Sequence, residues 1–173
     1  MAGCTLSRIH DRKGAAMCWQ CDNPQATIDD YLDVLRKTIR EYRWAVQFVE
    51  DGQRPFAYTI GLHDRGLPEL LLTGQPPQTS ARLLNSVARD MVDGGTILHP
   101  GMHIDFQGEF LLEAIEVDHP DVHLKFALGI LDEPFAALQL VWTDDGRHWP
   151  WDRGWSRGRR CQPVLGRRRT GRE

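Results

Sequence analysis

Residues 27–41 read TIDDYLDVLRKTIRE and form the clearest helix pattern of the chain. Thr27 occupies the N-cap position, and Asp30 stands three residues later, where the acid of a capping box stands. The apolar residues recur at helical spacing and make one stripe, formed by Ile28, Tyr31, Leu32, Leu35 and Ile39. We therefore predict an amphipathic helix that packs this stripe against the rest of the fold.

Short strand patterns follow this helix. Segments 44–49, 56–62 and 70–73 are rich in aromatic, β-branched and other apolar side chains, with glycine and proline in the gaps. A second helix pattern covers residues 79–92. The chain then predicts a hairpin of 102–106 and 110–117, a third helix over 120–131 and a last strand over 136–142.

The order of these elements is α-β-β-β-α-β-β-α-β, which lacks the regular helical crossovers of a doubly wound parallel sheet. We predict an α+β fold, with a mixed, mostly antiparallel sheet of about five to six strands and three helices packed against it.

The composition is that of a globular protein. The chain has 173 residues, 41% of them hydrophobic and 26% charged, and its formal net charge is −3. It has no apolar run long enough for a membrane span, and residues 1–16 lack the apolar core of an export signal. We expect a cytoplasmic protein with a disordered N-terminal extension over 1–16, a single α+β domain over 17–152 and a basic C-terminal tail over 153–173.

The tail concentrates positive charge, with eight arginines between Arg153 and Arg172. Such a segment is either a solvated terminus or a contact for nucleic acid or an acidic partner. The net charge of the whole chain gives no other indication of a nucleic-acid binder. An adaptor that works through this tail is one hypothesis for the function.

The sharpest chemical motif is the pair Cys18-x-x-Cys21, whose spacing suits one tetrahedral metal ion or a redox couple. The metal interpretation is favoured, because no strand pattern precedes the pair as a thioredoxin-like motif requires. His119 and His123 have the H-x3-H spacing of many zinc sites and would complete the ligand set. The alternative is that the cysteines are small buried apolar residues and that His119 caps a helix.

A polar group of residues flanks the second and third predicted strands, formed by Tyr58, Thr59, His63, Asp64 and Glu69. A histidine beside carboxylates can act as a general base, although no nucleophile motif accompanies it. The segment 54–62, with the PELLL string after it, is weakly similar to flavin-binding split barrels, in which such strands line the cofactor. This similarity implies an enzyme or cofactor binder that uses residues 55–69.

Tryptophans crowd into the region after the last predicted strand, where Trp149 and Trp151 flank a proline. Such rings can stack on a base, a flavin or a proline-rich peptide, or they can close one end of a core. We retain both as candidates for cofactor binding, together with Tyr58, Thr59 and His63.

Seven strings occur in an order that resembles the bacterial domain of unknown function 4262 family: CWQCD (18–22), PFAYTIGL (55–62), PEL (68–70) leading into TG (73–74), VDHP (117–120), LQLVW (138–142), WPWD (149–152) and QPVLG (162–166). The resemblance implies a compact cytosolic domain and no particular activity. The leading hypothesis is therefore a small binding or regulatory protein with a structural metal, zinc, at the cysteine pair. The alternatives are the enzyme or flavin-type cofactor binder and the adaptor described above.

Overall fold

The computed structural model describes residues 7–9, 17–18, 23–50, 54–106, 108–131, 133–156 and 161–168, with the backbone alone for 7–9 and 17–18. The α-helices are α1 (Ile28–Tyr42), α2 (Pro77–Val92), α3 (Pro120–His123) and α4 (Lys125–Leu128). The strands are β1 (Ser7–Ile9), β2 (Met17–Cys18), β3 (Ala45–Val49), β4 (Phe56–Ile60), β5 (Glu69–Thr73), β6 (His103–Phe106), β7 (Phe110–Val117), β8 (Ala137–Trp142) and β9 (Gly166–Arg167). None of the helices in this described part combines the length and apolar character needed to cross a membrane.

The strands form one mixed sheet in the order β2-β1-β3-β4-β5-β8-β7-β6, and β9 pairs with the end of β7. The pairing of β5 with β8 is parallel, whereas the other described pairings are antiparallel. Strand β8 thus lies between β5 and β7 in the sheet, although the β6–β7 hairpin precedes β8 in the sequence. The predicted α+β class with a mixed, mostly antiparallel sheet is confirmed.

Helix α1 begins as its sequence pattern predicts. The Thr27 side chain accepts a hydrogen bond from the backbone N–H of Asp30, and the Asp30 carboxylate accepts one from the backbone N–H of Thr27 at 2.7 Å. This capping box satisfies two backbone donors that a helix start leaves without intrahelical partners.

Helices cover both faces of the sheet and divide the core in two. Helix α2 packs Leu83, Leu84 and Val87 against one face. Helix α1 packs Tyr31 and Leu35 against the other face, where the residues around α4 also lie. Alternate strand residues supply the two cores because successive side chains of a strand point to opposite faces.

The third predicted helix, over 120–131, is wrong as a single element. The structure divides it into α3 and α4, with a break at Leu124, whose backbone dihedral angles of −97° and 60° are not helical. His119 precedes α3 in the left-handed conformation, with φ 51°. The break accompanies the full burial of Leu124 and Ala127 in the core beneath α1, so tertiary packing overrides the local helix pattern. The residues that the structure describes consequently form four α-helices, of which two are long.

Residues 161–168, here called the C-terminal strap, lie across β8. Gln139 of β8 donates to the Pro163 carbonyl and accepts from the Leu165 N–H, each at 2.7 Å. Gln162 bonds in both directions with the backbone of Trp142, each at 2.8 Å. Part of the predicted basic tail is therefore hydrogen-bonded to the sheet.

Candidate functional site

A cleft of about 640 Å³ lies between α1 and the α3–α4 segment, and we call it the α1–α4 cleft. Its apolar walls include Leu32 of α1, Val49 of β3, Phe56 of β4 and Phe126 of α4. This volume falls within the range of roughly 300–1,000 Å³ that small-molecule sites occupy. The cleft is therefore large enough for a small organic ligand.

Direct contacts set the spacing of the two cleft walls. Leu32 packs closely against Gly129, which follows α4. A Cβ atom at Gly129 would lie only 3.3 Å from Cδ1 of Leu32. Arg36 of α1 donates to the Gly129 carbonyl at 3.3 Å. The rings of Tyr31 and Phe126 meet edge to face at a centroid distance of 5.1 Å. These contacts join α1 to α4, so that the cleft is a preformed feature of the fold.

Two large apolar side chains that line the cleft are exposed. Ile28 at the start of α1 is 61% exposed, and Val122 of α3 is 57% exposed. The helix stripe predicted from the sequence places Ile28 in the core, whereas the structure places it on the cleft. Exposed apolar side chains beside a cavity are typical of a surface that receives a partner or ligand.

The cleft also has basic side chains but no acidic ones among its described lining residues. His123 ends α3, and Lys125 begins α4. In the part of the chain that the structure describes, neither side chain makes an ion pair. An anionic group in the cleft would meet the complementary charge of Lys125.

Tyr58 is the buried polar residue of the cleft. Its side chain is fully buried, and its hydroxyl accepts a hydrogen bond from the Phe126 N–H at 3.2 Å. Burial raises the pKa of Tyr58, so its hydroxyl stays protonated at neutral pH. Tyr58 is the one member of the predicted polar group that lines this cleft. The other members, Thr59, His63, Asp64 and Glu69, are not among its lining residues.

Thr59 and His63 belong to a hydrogen-bonded group around the buried carboxylate of Glu69. This carboxylate accepts from the Thr59 hydroxyl at 2.6 Å, from the Gly61 N–H at 2.8 Å and from the His63 N–H at 3.1 Å. Burial raises the pKa of Glu69, and the hydrogen bonds oppose that shift. Glu69 therefore holds the turn after β4, whereas Asp64 is exposed in the 3₁₀ turn His63–Arg65.

His63 contacts two residues that line a second cleft of about 700 Å³. Its Nε2 lies 3.1 Å from Oε1 of Glu133, and its ring meets Phe135 at a centroid distance of 6.5 Å. Glu133 and Phe135 line the second cleft together with His119. His119 and His123, predicted as partners in one metal site, consequently line different clefts.

The cysteines of the predicted metal site lie largely outside the described residues. The backbone of Cys18 pairs with Arg8 in the β1–β2 hairpin, and Cys21 is outside the described ranges. Among the described residues, no group of three or more His, Cys, Asp or Glu side chains has the arrangement of a metal site. The zinc site of Cys18, Cys21, His119 and His123 stays a prediction.

The tryptophans after β8 stack on one another. Trp149 and Trp151 lie nearly parallel at a centroid distance of 5.4 Å. The ring of His103 also contacts Trp149, with a centroid distance of 5.4 Å. The Arg168 guanidinium lies 4.8 Å over Trp151, and its Nε donates to Oε1 of Glu113 at 2.9 Å. Each indole thus packs on two planar neighbours of the same chain, and cofactor binding by these rings stays a prediction.

The loop that carries these tryptophans is organised by Asp144. Its carboxylate accepts from the Ser156 N–H at 3.0 Å, the His148 N–H at 2.9 Å and the Gly146 N–H at 2.9 Å. The backbone hydrogen bonds from Ser156 and His148 hold the pKa of Asp144 well below the ordinary value of 3.8. The ionised form is therefore the one that the fold requires.

We expect the loop to lose stability in acid. A carboxylate whose folded-state pKa is depressed contributes stability that is present above its unfolded-state pKa and is lost as the pH falls. Tryptophan fluorescence of the native chain and of Asp144→Asn should therefore differ most at neutral pH and converge below an ordinary aspartate pKa of about 3.8. Asp64→Asn, which removes an exposed charge, is the control. A difference that persists unchanged in strong acid would contradict the assignment.

The protein is a small α+β domain with helices on both faces of a mixed sheet. It has a preformed, ligand-sized cleft between α1 and the α3–α4 segment. Residues 38–156 match the family model described as "Domain of unknown function (DUF4262)", which is more than half of the chain. The protein belongs to this family, as the resemblance of the sequence strings predicts. The strings at 18–22 and 162–166 lie outside the matched residues. Searches of the curated proteins and of the solved structures gave no significant match.

Proposed function

We propose that the protein binds a carboxylic acid with an apolar body in the α1–α4 cleft. The observation that carries this proposal is the composition of the cleft, in which apolar walls combine with His123 and Lys125 and with no described acidic residue. The sequence predicts a small binding protein, and this proposal adds the α1–α4 cleft as its binding surface and an apolar carboxylic acid as its class of ligand.

The apolar body follows from the exposed lining. Ile28 and Val122 leave most of their surface in contact with water in the unliganded chain. A ligand that covers them removes this surface from water, which stabilises the complex by about 25 cal/mol per Å² of apolar surface buried. The carboxylate follows from the basic residues, because a single anion would satisfy both of them at once.

Calorimetric titration with decanoate tests the proposal. We expect saturable binding with a dissociation constant on the order of tens of micromolar and a weaker interaction with methyl decanoate, which has the same body without the charge. Lys125→Ala should weaken decanoate binding by about two- to fivefold. Lys37→Ala, which removes an exposed charge of α1 outside the cleft lining, should leave it unchanged.

The controls distinguish binding in the cleft from a general electrostatic attraction between the protein and fatty-acid anions. Equal weakening by Lys125→Ala and Lys37→Ala would indicate unspecific electrostatics. Equal binding of decanoate and its methyl ester would show that the basic residues do not recognise the anion.

A structural metal at the cysteine pair is a second proposal. It is supported by the position of His123, which lines the same cleft as Ile28, because Ile28 follows Cys21 by only seven residues. We expect about one equivalent of zinc in protein purified without chelator, and its loss in Cys21→Ser. Less than about a tenth of an equivalent, with both thiols freely titratable, would contradict it.

A further inference from the structure

Aromatic side chains form part of the wall of the α1–α4 cleft, and they belong to Phe56, Tyr58 and Phe126. Tyr58 is fully buried, whereas Phe56 and Phe126 are only partly buried and pack against the outside of the core beneath α1. A ligand in the cleft can therefore contact Phe56 and Phe126, which keep surface exposed there, but not Tyr58.

The fold holds these two phenylalanines around the buried tyrosine. The rings of Phe56 and Tyr58 lie nearly parallel, with their centroids 6.0 Å apart. The backbone N–H of Phe126 donates to the Tyr58 hydroxyl at 3.2 Å. Phe56 of β4 and Phe126 of α4 are thus neighbours in space, and contacts within the chain position both before a ligand binds.

Each of the two phenylalanines has one aromatic partner within the part of the chain that the structure describes. Phe56 contacts Tyr58, and Phe126 meets Tyr31 edge to face at a centroid distance of 5.1 Å. Ring pairs in stacked or edge-to-face arrangements attract each other beyond the effect of burying their surface. A further ring in the cleft would gain this attraction, whereas an alkyl chain would gain only the burial.

We infer that the apolar body of the ligand is an aromatic ring that packs against Phe56 and Phe126. This inference rests on the proposed function, because it assumes that the carboxylate of the ligand binds in the same cleft beside Lys125. Arylalkanoic acids, in which a short alkyl chain joins the ring to the carboxylate, are the class of ligand with both features.

The first test compares two ligands on the native chain by calorimetric titration. Phenylpropionate and cyclohexylpropionate share the carboxylate, the alkyl chain and a six-membered ring, but only the first ring is aromatic. The saturated ring is the more apolar of the two, so burial alone favours cyclohexylpropionate. We expect the native chain to bind phenylpropionate at least as tightly. This comparison requires no variant to fold.

The second test removes one ring of the cleft. Phe126→Leu keeps an apolar side chain and should weaken the binding of phenylpropionate about two- to tenfold more than that of cyclohexylpropionate. Leu32→Ala is the matched control in the same cleft, because it removes apolar surface without removing a ring, and it should weaken both ligands alike. Phe56→Leu repeats the test on the other accessible ring.

The outcomes separate this inference from the proposed function. If the native chain binds neither decanoate nor the two ring acids, the proposed function is wrong and the inference fails with it. If decanoate binds but phenylpropionate does not, or if cyclohexylpropionate binds more tightly than phenylpropionate, the ligand is not aromatic and the carboxylate site stands. Equal weakening of both ring acids by Phe126→Leu and by Phe56→Leu would also overturn the inference.

Discussion

Replacing Glu69 by alanine is expected to lower the free energy of unfolding by about 3–5 kcal/mol. The substitution leaves the hydroxyl of Thr59 and the backbone N–H groups of Gly61 and His63 without their shared acceptor, and Thr59 and Glu69 are fully buried. Burial makes each unsatisfied donor costly, because no water replaces the lost oxygen. Urea titration followed by circular dichroism measures the loss.

The chain offers a graded control for this effect. Glu69→Gln keeps one oxygen for the backbone donors and should cost less than half as much as the alanine variant. Glu133→Ala removes the carboxylate that faces His63 from the second cleft, where it is 73% exposed, and should change stability little. Equal losses in Glu69→Ala and Glu133→Ala would contradict the assignment of Glu69 as the anchor of the turn.

Gly74→Ala should be comparably destabilising, by about 3–5 kcal/mol. Gly74 follows β5 with φ +75°, and a Cβ built on it would lie 1.8 Å from the carbonyl oxygen of Cys161 in the strap. The added methyl group both requires a left-handed backbone and displaces the strap. Urea titration should show the loss, and limited proteolysis should show earlier cleavage near residue 161.

Gly66→Ala is the matched control, because Gly66 has φ +71° and no neighbouring atom within 4 Å of its built Cβ. It should cost only the backbone strain, about 1 kcal/mol. If the two variants unfold at the same urea concentration, the close approach of the strap to Gly74 contributes nothing to stability.

Local patterns predicted the longer elements of the fold. The capping box at Thr27 and Asp30 fixed the start of α1, and the strands Phe110–Val117 and Ala137–Trp142 occur within a residue of their predicted bounds. The two-residue strands β2 and β9 had no such signal, because each is too short to show an alternating pattern, and β9 forms only by pairing with the distant strand β7.

The α1–α4 cleft depends on contacts that sequence spacing does not specify. Arg36 and Gly129, which join its walls, are far apart in the chain, and the break at Leu124 that positions His123 arises from core packing. The sequence identified Tyr58 and His123 as candidates, but it assigned them to different chemistry. Lys125 and Val122 had no distinguishing pattern, since a base and an apolar residue within a predicted helix are ordinary features.

The most direct measurement of the central claim is a ¹H–¹³C methyl spectrum recorded during titration with decanoate. We predict saturable shifts of the methyl groups of Ile28, Leu32 and Val122, which line the α1–α4 cleft. The methyl groups of Leu83 and Leu84, in the core on the opposite face of the sheet, should stay in place. Saturable shifts confined to residues outside the cleft, or no saturable shift at all, would contradict the claim that this cleft binds an apolar carboxylic acid.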